Sequence, residues 1–398
     1  MSDDDTPSPS RGEPALDPDE QAHGSRVIAH IRDRIDAQGG WISFESYMDL
    51  ALYAPGLGYY SAGARKIGAG GDFTTAPEVS PLFGGCLARA CAPVLESMGG
   101  GSMLEIGAGT GRLAVDVLRR LDTLGQLPEQ YMILEVSPDL KQRQRQRLEA
   151  ELPQLAGRVR WLETPPDAFE GVLIANEVLD ALPVMRFRWD GEDVSELGVA
   201  CGPAGLAWAA RPAEEWLSAT CRGLYAAAGR SWPAGYVSEC CSRLAPWTAT
   251  VTRGLRRGLA LWIDYGLPRA QYYLAERDEG TLICHFRQRA LDAPLERPGL
   301  QDITAWVDFT ALAQAGASLG FELAGFTTQA WFLAGSGLEE EMRQLAGGDE
   351  QRFARLALQA RQLVLPGEMG ERFKVMGWQR GCDVTLPGFQ MRDFTASL

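Results

Sequence analysis

From residue 102 onward, short apolar segments alternate with longer polar stretches of helical character, and this alternation limits the possible fold more than any other feature. The first four apolar segments lie at residues 102–106, 131–136, 159–162 and 172–175. Strands separated by helices pair in parallel, and a parallel sheet needs helices on both of its faces. The pattern therefore predicts a doubly wound, Rossmann-like α/β sheet.

The alternation is interrupted once and then resumes. Residues 194–208 carry Gly-Pro and Gly turns that are typical of a small antiparallel unit, and the sequence returns to strand-like segments at 259–265, 320–326 and 373–378. We therefore predict an inserted α+β subdomain at 189–255, which would be a substrate or partner region. The core would then comprise two stretches, 101–188 and 256–398.

Residues 25–100 precede this core as a helical preface, with predicted helices at 26–35 and 82–97. Residues 1–24 contain seven acidic residues and one basic residue, which predicts a disordered acidic tail. Such a segment is the opposite of a secretory signal or an arginine-rich transit peptide. Together with cysteines that form no C-x-x-C pair, it predicts a cytoplasmic protein.

The composition argues against several classes of function. The chain has 38 Lys+Arg against 52 Asp+Glu, a formal charge of −14, whereas binding to nucleic acid needs clustered basic residues. No apolar run approaches the ~18 residues that would span a bilayer, so we expect no membrane insertion. The three histidines and eight cysteines do not have the spacing of a zinc site, and no metal is predicted.

A glycine-rich turn follows the first predicted strand. Gly107, Gly109 and Gly111 occupy alternate positions, and Glu105 lies two residues before them. Glycines here let the backbone turn sharply and approach a ligand closely. A dinucleotide fingerprint would need glycine in place of Arg112, and a P-loop would need Gly-Lys-Ser/Thr. The spacing instead favours S-adenosylmethionine (SAM), because the carboxylate can engage the ammonium group of this ligand.

Two further polar segments are expected at the same edge of the sheet. Glu135 ends the second strand, in the position of the acid that binds ribose hydroxyls in nucleotide-binding α/β folds. Asn176 ends the fourth strand and is followed by Glu177 and Asp180. Ligands bind such sheets at the carboxyl ends of the strands. Glu135 and Asn176 are therefore predicted to contact SAM.

Longer segments of the chain resemble the MidA-like family of SAM-dependent methyltransferases. They follow the order of the family over nearly the whole chain, from about residue 41 to about residue 380. The segments are FESYM (44–48), YAPGLGYY (53–60), GDFTTAPEVS (71–80), NEVLDALPV (176–184), IDYG (263–266), DITAWVDF (302–309) and FKVM (373–376). Mitochondrial members of this family are assembly factors of respiratory complex I that methylate an arginine of one of its subunits. The resemblance thus implies an arginine methyltransferase with a protein substrate, and a subunit of respiratory complex I is the substrate that it suggests.

An arginine acceptor makes acidic side chains the leading catalytic candidates, because guanidinium stays protonated at neutral pH. Carboxylates can bind its fork of N–H donors and orient it. Glu177 and Asp180 lie three residues apart in a predicted helical turn, so both can face one side. Glu78 is a further candidate, and His285 could act as a base near neutral pH.

The segment GDFTT supplies two more candidates for binding SAM. Phe73 and Thr74 lie in a glycine-rich loop that could fold over the cofactor as a lid, with Phe73 stacking on it. An ordered surface loop is the alternative interpretation. Asp264 ends the fifth strand at the same sheet edge, where a structural hydrogen-bonding role is as plausible as a functional one.

Two other functions stay open at this point. A non-catalytic assembly factor could keep the SAM site for folding or sensing and act by binding a client protein. A small-molecule N- or O-methyltransferase would use the insertion as a closed lid over an apolar pocket.

Overall fold

The computed structural model describes residues 16–62, 75–191, 193–229 and 231–398. No helix in these ranges is long and apolar enough to cross a membrane. The helices, numbered along the chain, are α1 (Pro18–Ala37), α2 (Phe44–Tyr53), α3 (Ala76–Val79), α4 (Pro81–Ser97), α5 (Arg112–Thr123), α6 (Pro138–Glu151), α7 (Glu215–Ala227), α8 (Leu244–Thr252), α9 (Arg269–Tyr272), α10 (Phe309–Ser318), α11 (Gln329–Gly335), α12 (Leu338–Ala346), α13 (Glu350–Val364), α14 (Met369–Arg372) and α15 (Pro387–Gln390).

The strands belong to three sheets, and those that were predicted from the sequence are all present. In chain order they are β1 (Ile42–Ser43), β2 (Ser102–Ile106), β3 (Gln130–Leu134), β4 (Val159–Leu162), β5 (Phe169–Asn176), β6 (Met185–Asp190), β7 (Asp193–Gly202), β8 (Gly205–Pro212), β9 (Tyr236–Cys240), β10 (Leu255–Leu267), β11 (Ile283–Phe286), β12 (Arg289–Leu291), β13 (Asp302–Thr304), β14 (Val307–Asp308), β15 (Glu322–Thr328) and β16 (Phe373–Arg380).

The largest sheet has the order β15-β16-β10-β5-β2-β3-β4, with β14 beside β10. Its strands are parallel from β10 to β4, and β16 is antiparallel to both of its neighbours. The predicted doubly wound α/β fold is thereby confirmed. The chain moves outward from β2 through β3 to β4 and then returns to β5 on the other side of β2, so the strand order reverses between β2 and β5.

Alternating side chains of the parallel strands fill two separate hydrophobic cores. On β5, Val172 and Ile174 pack into the core that contains α4 and α5, whereas Leu173 and Ala175 pack into the core that contains α8 and α10. This division follows from the two-residue period of a strand. It explains why the strands read as nearly continuous apolar runs in the sequence.

The preface and the insertion share a second sheet. Its strands have the order β1-β7-β6-β9, and β7 also pairs with β8. Ile42 of β1 pairs with Val199 of β7, so a segment of the preface extends the sheet of the insertion. After the preface, the next strand of this sheet is β6, which begins at Met185, slightly before the predicted boundary of the insertion at residue 189. The predicted antiparallel unit is confirmed by the pairing of β7 with β8.

The predicted boundary of the acidic tail is wrong at its C-terminal end. Helix α1 begins at Pro18, so residues 18–24 are helical. The Asp17 side chain accepts hydrogen bonds from the amides of Asp19 and Glu20, and the Glu20 side chain accepts one from the Asp17 amide. This reciprocal cap satisfies amides that a helix start otherwise leaves unpaired. Acidic residues that suggested disorder therefore start the helix, while residues 1–15 lie outside the described ranges.

Candidate active site

A cavity of about 870 Å³ opens at the carboxyl edge of the large sheet, where the strand order reverses. Its wall includes Glu105 and the glycine turn after β2, Glu135 after β3, and Asn176 and Glu177 at the end of β5. Open α/β sheets bind ligands at this place. Within the described ranges, no group of three or more His, Cys, Asp or Glu side chains is arranged to hold a metal ion.

The glycine turn has a backbone that other residues rarely adopt. Gly107, Gly109 and Gly111 have φ values of 65°, 51° and 80°, in the left-handed region that favours glycine. A Cβ on Gly107 would lie 3.2 Å from Cγ2 of Val178, and one on Gly111 would lie 3.2 Å from Gln144. The turn therefore needs glycine for its conformation and for its close packing, and it leaves the cavity side open to a ligand.

Glu105 places a buried carboxyl group directly before this turn. Its side chain is almost fully buried, and Oε2 accepts a hydrogen bond of 2.7 Å from the Tyr131 hydroxyl. Burial raises the pKa of Glu105 to about 7, although the bond from Tyr131 opposes the rise. A carboxyl in such surroundings gains from a cationic partner. The site therefore fits the ammonium group of SAM.

Glu135 is held in one orientation by neighbours on the next helix. Its carboxylate accepts hydrogen bonds from the Ser137 amide at 2.9 Å and from Nε2 of Gln144 at 3.2 Å. Gln144 also donates to the Gly109 carbonyl and accepts from the indole N–H of Trp161, both at 2.9 Å. Gln144 thus connects the glycine turn to the acid that is predicted to bind ribose. The sequence did not reveal it, because a single glutamine in a polar helix carries no motif.

Glu177 lies at the end of β5 in a left-handed conformation, with φ of 54°. Its Oε1 accepts hydrogen bonds from Nδ2 of Asn176 at 3.1 Å and from the Ala76 amide at 3.3 Å. Burial raises the pKa of Glu177 to about 8, and the nearby charge of Asp264 raises it further. Strained backbone at a non-glycine residue persists only where the surroundings enforce it, and such residues cluster at functional sites.

The predicted helical turn at Glu177–Asp180 is wrong, and Asp264 is the reason. Its Oδ2 accepts hydrogen bonds from three consecutive amides, those of Val178 at 3.1 Å, Leu179 at 2.8 Å and Asp180 at 3.3 Å. These bonds replace the start of a helix with a non-helical turn. Among the described residues, Glu177 lines the cavity and Asp180 does not. The expectation that both side chains face one side is therefore not met.

Of the two other catalytic candidates, Glu78 lies at the cavity and His285 does not. Glu78 lines the cavity, but its Oε1 accepts hydrogen bonds from the Thr110 hydroxyl and from Nη1 of Arg147, at 3.2 Å for the latter. Its carboxylate thus connects the segment after residue 74 to the glycine turn. His285 lies on β11, opposite Asp302 of β13, and is not part of the cavity wall as described. Phe73 and Thr74 lie outside the described residues.

The remaining wall comes from residues that the sequence did not single out. Asp49 and Tyr53 of α2 line the cavity, together with Tyr60, whose ring stacks on Tyr53 at 5.6 Å between centroids. The insertion contributes Arg243 and Trp247. The segments 44–48 and 53–60 carried a family resemblance without any assigned role. The sequence therefore marked the segment that contains Tyr53 and Tyr60 as family-like. That this segment lies at the cavity follows only from the tertiary fold.

The sequence matches, over residues 86–327, the family described as "Putative S-adenosyl-L-methionine-dependent methyltransferase". These residues make up more than half of the chain and include the glycine turn, Glu135 and Glu177. The chain belongs to this family. The predicted reaction class and cofactor are thereby confirmed, and the chain is a SAM-dependent methyltransferase.

Similar proteins support the same assignment. The structure resembles the crystal structure of a Burkholderia thailandensis protein bound to S-adenosyl-homocysteine, with a TM-score of 0.92 and 42% identity over 97% of this chain and 100% of that one. A Drosophila melanogaster relative, "Protein arginine methyltransferase NDUFAF7 homolog, mitochondrial", is 30% identical over 90% of this chain and 85% of its own. The zebrafish protein of the corresponding name is 29% identical over 87% of this chain and 85% of its own.

The predicted cytoplasmic location is wrong, because the relatives from zebrafish, nematode, fruit fly and human are all named as mitochondrial proteins. The prediction depended on an acidic N-terminal segment and on free cysteines. Free thiols do not distinguish one reducing compartment from another.

Glu105 gives a direct test of the cofactor site. Since its pKa is near 7, the carboxylate that pairs with an ammonium forms as the pH rises, so affinity for S-adenosyl-homocysteine should increase between pH 6 and pH 8. Glu105→Gln should weaken binding by about 10- to 100-fold and remove this increase. Calorimetry at several pH values measures both effects, with the exposed Glu170→Gln as control. Wild-type affinity that is independent of pH would contradict the assignment.

Proposed function

We propose that this methyltransferase acts on the guanidinium group of an arginine in a partner protein. The observation that carries the proposal is the carboxyl group of Glu177, which lies in the wall of the cofactor cavity on a strained backbone. Its Oε1 accepts two hydrogen bonds, while Oε2 receives none from the described residues. That oxygen is therefore available to accept an N–H of a substrate guanidinium. The relatives named as protein arginine methyltransferases support the same acceptor.

The charge around Glu177 favours a cationic acceptor. Burial raises the pKa of Asp180, and the negative charges of Asp264, Asp302 and Glu177 raise it further. The hydroxyl of Tyr60 donates to Asp302 at 2.9 Å, so the acidic group extends to the aromatic wall of the cavity. Carboxyl groups that repel one another are stabilised by a positive charge between them. A guanidinium supplies such a charge, whereas a neutral small molecule does not.

The residues of the site divide into two roles. SAM, when bound, supplies an electrophilic methyl group on a sulfonium. Glu105 would bind its ammonium group, Glu135 its ribose hydroxyls, and the glycine turn would let the backbone approach it. Glu177 would orient the guanidinium fork and accept one of its N–H protons at Oε2. Placing the two groups in a partly enclosed cavity excludes water and supplies most of the expected rate gain.

Labelling tests the proposal directly. The purified enzyme is incubated with SAM that carries an isotopically labelled methyl group, together with candidate protein substrates, first of all subunits of respiratory complex I. Mass spectrometry then locates the label. Label on arginine supports the proposal, whereas label on another residue or on a small molecule contradicts it. Transfer to no acceptor, with retained SAM binding, would favour the non-catalytic assembly factor.

A further inference from the structure

One face of α2 leads from the surface into the cavity. Glu45, Asp49 and Tyr53 are spaced four residues apart, so they lie on the same side of this helix. Asp49 and Tyr53 line the cavity, and Glu45 lies one turn farther out. The face therefore presents two carboxylates and then an aromatic ring along the wall that also contains Glu177.

An arginine of the chain itself is bound to these carboxylates. Arg243 directly precedes α8, and its Nη1 lies 2.5 Å from Oδ1 of Asp49. Its Nε lies 3.3 Å from Oε1 of Glu45. Arg243 also lines the cavity, and its side chain is 38% exposed. A guanidinium thus already occupies the wall of a cavity for which an arginine substrate is proposed.

This contact contributes little to the stability of the fold. These side chains are 20–42% exposed, and ion pairs that water can reach are screened and contribute only weakly to stability. The position of α2 is fixed instead by buried side chains such as Phe44, Tyr47 and Met48, which pack in the core shared by the preface and the insertion. Arg243 could therefore leave the carboxylates at low cost if another cation replaced it.

We propose that Arg243 is a specificity-determining residue that competes with the protein substrate for Glu45 and Asp49. On binding, a second basic side chain of the substrate, close to its acceptor arginine, takes over these carboxylates and displaces the Arg243 guanidinium. The inference rests on the proposed arginine methylation and narrows its substrate class to segments with two neighbouring basic side chains. Peptides with a single basic side chain leave Arg243 in place and bind more weakly.

Peptide binding to the enzyme loaded with S-adenosyl-homocysteine tests this role. Two peptides are compared by calorimetry, one with a lone arginine and one with an adjacent lysine. Arg243→Gln should tighten binding of the second peptide by about 3- to 5-fold, because the competing cation is gone. Asp49→Asn should weaken it. Arg253→Gln, at the other end of α8 and 53% exposed, is the matched control and should change nothing. Thermal unfolding verifies that each variant is folded.

The outcomes separate this inference from the proposed function. If Arg243→Gln leaves the affinity unchanged or lowers it, or if neither peptide binds, Arg243 does not compete and the inference is overturned. If Arg243→Gln tightens binding of the second peptide but the wild type methylates no arginine, the competition stands and the proposed function fails. If the wild type methylates arginine while the variant shows no tighter binding, only the role of Arg243 is lost.

Discussion

Replacing Glu177 by glutamine should lower kcat for methylation of an arginine peptide by about 100- to 1,000-fold, the range seen when one preorganised group at a reaction centre is removed. Glutamine keeps an oxygen that can accept from Asn176 and from the Ala76 amide, so the local turn should persist. It lacks the charge that binds and orients a guanidinium. Steady-state methylation measures kcat, and calorimetry with S-adenosyl-homocysteine should show unchanged affinity.

The pH dependence of the two proteins distinguishes this role from a structural one. Since the pKa of Glu177 in the free enzyme is about 8, wild-type kcat/KM should rise with pH until the group is ionised, whereas the remaining kcat/KM of Glu177→Gln should not follow that rise. The exposed Glu322→Gln serves as a control. Equal pH profiles for wild type and Glu177→Gln would exclude Glu177 as the ionising group.

The stability of the fold should decrease as Glu177 ionises, whereas activity should increase. The pKa of Glu177 is raised in the folded protein from its ordinary value of 4.5 to about 8. The folded protein favours the protonated form of Glu177. The stability that this form contributes is therefore fully present below about pH 4.5, decreases as the pH rises, and is lost once the pH passes about 8. The melting temperature of the wild type should consequently fall more between pH 6 and pH 9 than that of Glu177→Gln.

The cofactor half of the site could be predicted from the sequence because its determinants are local. Glu105 and the three glycines lie within seven consecutive residues, and their spacing alone defines a strand, a turn and the start of a helix. Glu135 follows from the rule that carboxyl ends of parallel strands share one edge. The two-residue period of the strands likewise predicted which segments form the large sheet.

The acceptor half could not be predicted in the same way, because its determinants come from distant parts of the chain. The amides that bind Asp264 lie 84–86 residues before it, and they replace the helical turn that the spacing of Glu177 and Asp180 suggested. Asp49 and Arg243 are 194 residues apart and meet only because the preface joins the sheet of the insertion. Local periodicity carries no information about such contacts.

Replacing Asp264 by alanine should lower the free energy of unfolding by about 3–5 kcal/mol, because the backbone amides that it binds lose their acceptor. The side chain is completely buried and accepts from four backbone amides, since Oδ1 also receives the Tyr265 amide at 2.8 Å. Each buried donor left without a partner costs about 1–3 kcal/mol, and water entering the vacated space recovers part of this. Urea denaturation measures the loss, with the exposed Asp383→Ala as control.

The same variant separates the position of Glu177 from binding of the cofactor. Asp264 holds the turn at Val178–Asp180 but makes no hydrogen bond to the glycine turn or to Glu135 among the described residues. Below its melting temperature, Asp264→Ala should therefore still bind S-adenosyl-homocysteine while kcat falls, because the strained backbone of Glu177 relaxes once its neighbours lose their acceptor. The kcat of Asp264→Asn should lie between those of the wild type and Asp264→Ala, since the side-chain amide oxygen of asparagine can still accept hydrogen bonds from the turn. A variant that is destabilised as expected but keeps the wild-type kcat would show that Glu177 needs no such support, and that the bond from its own amide to the Ile263 carbonyl at 2.9 Å is enough to position it.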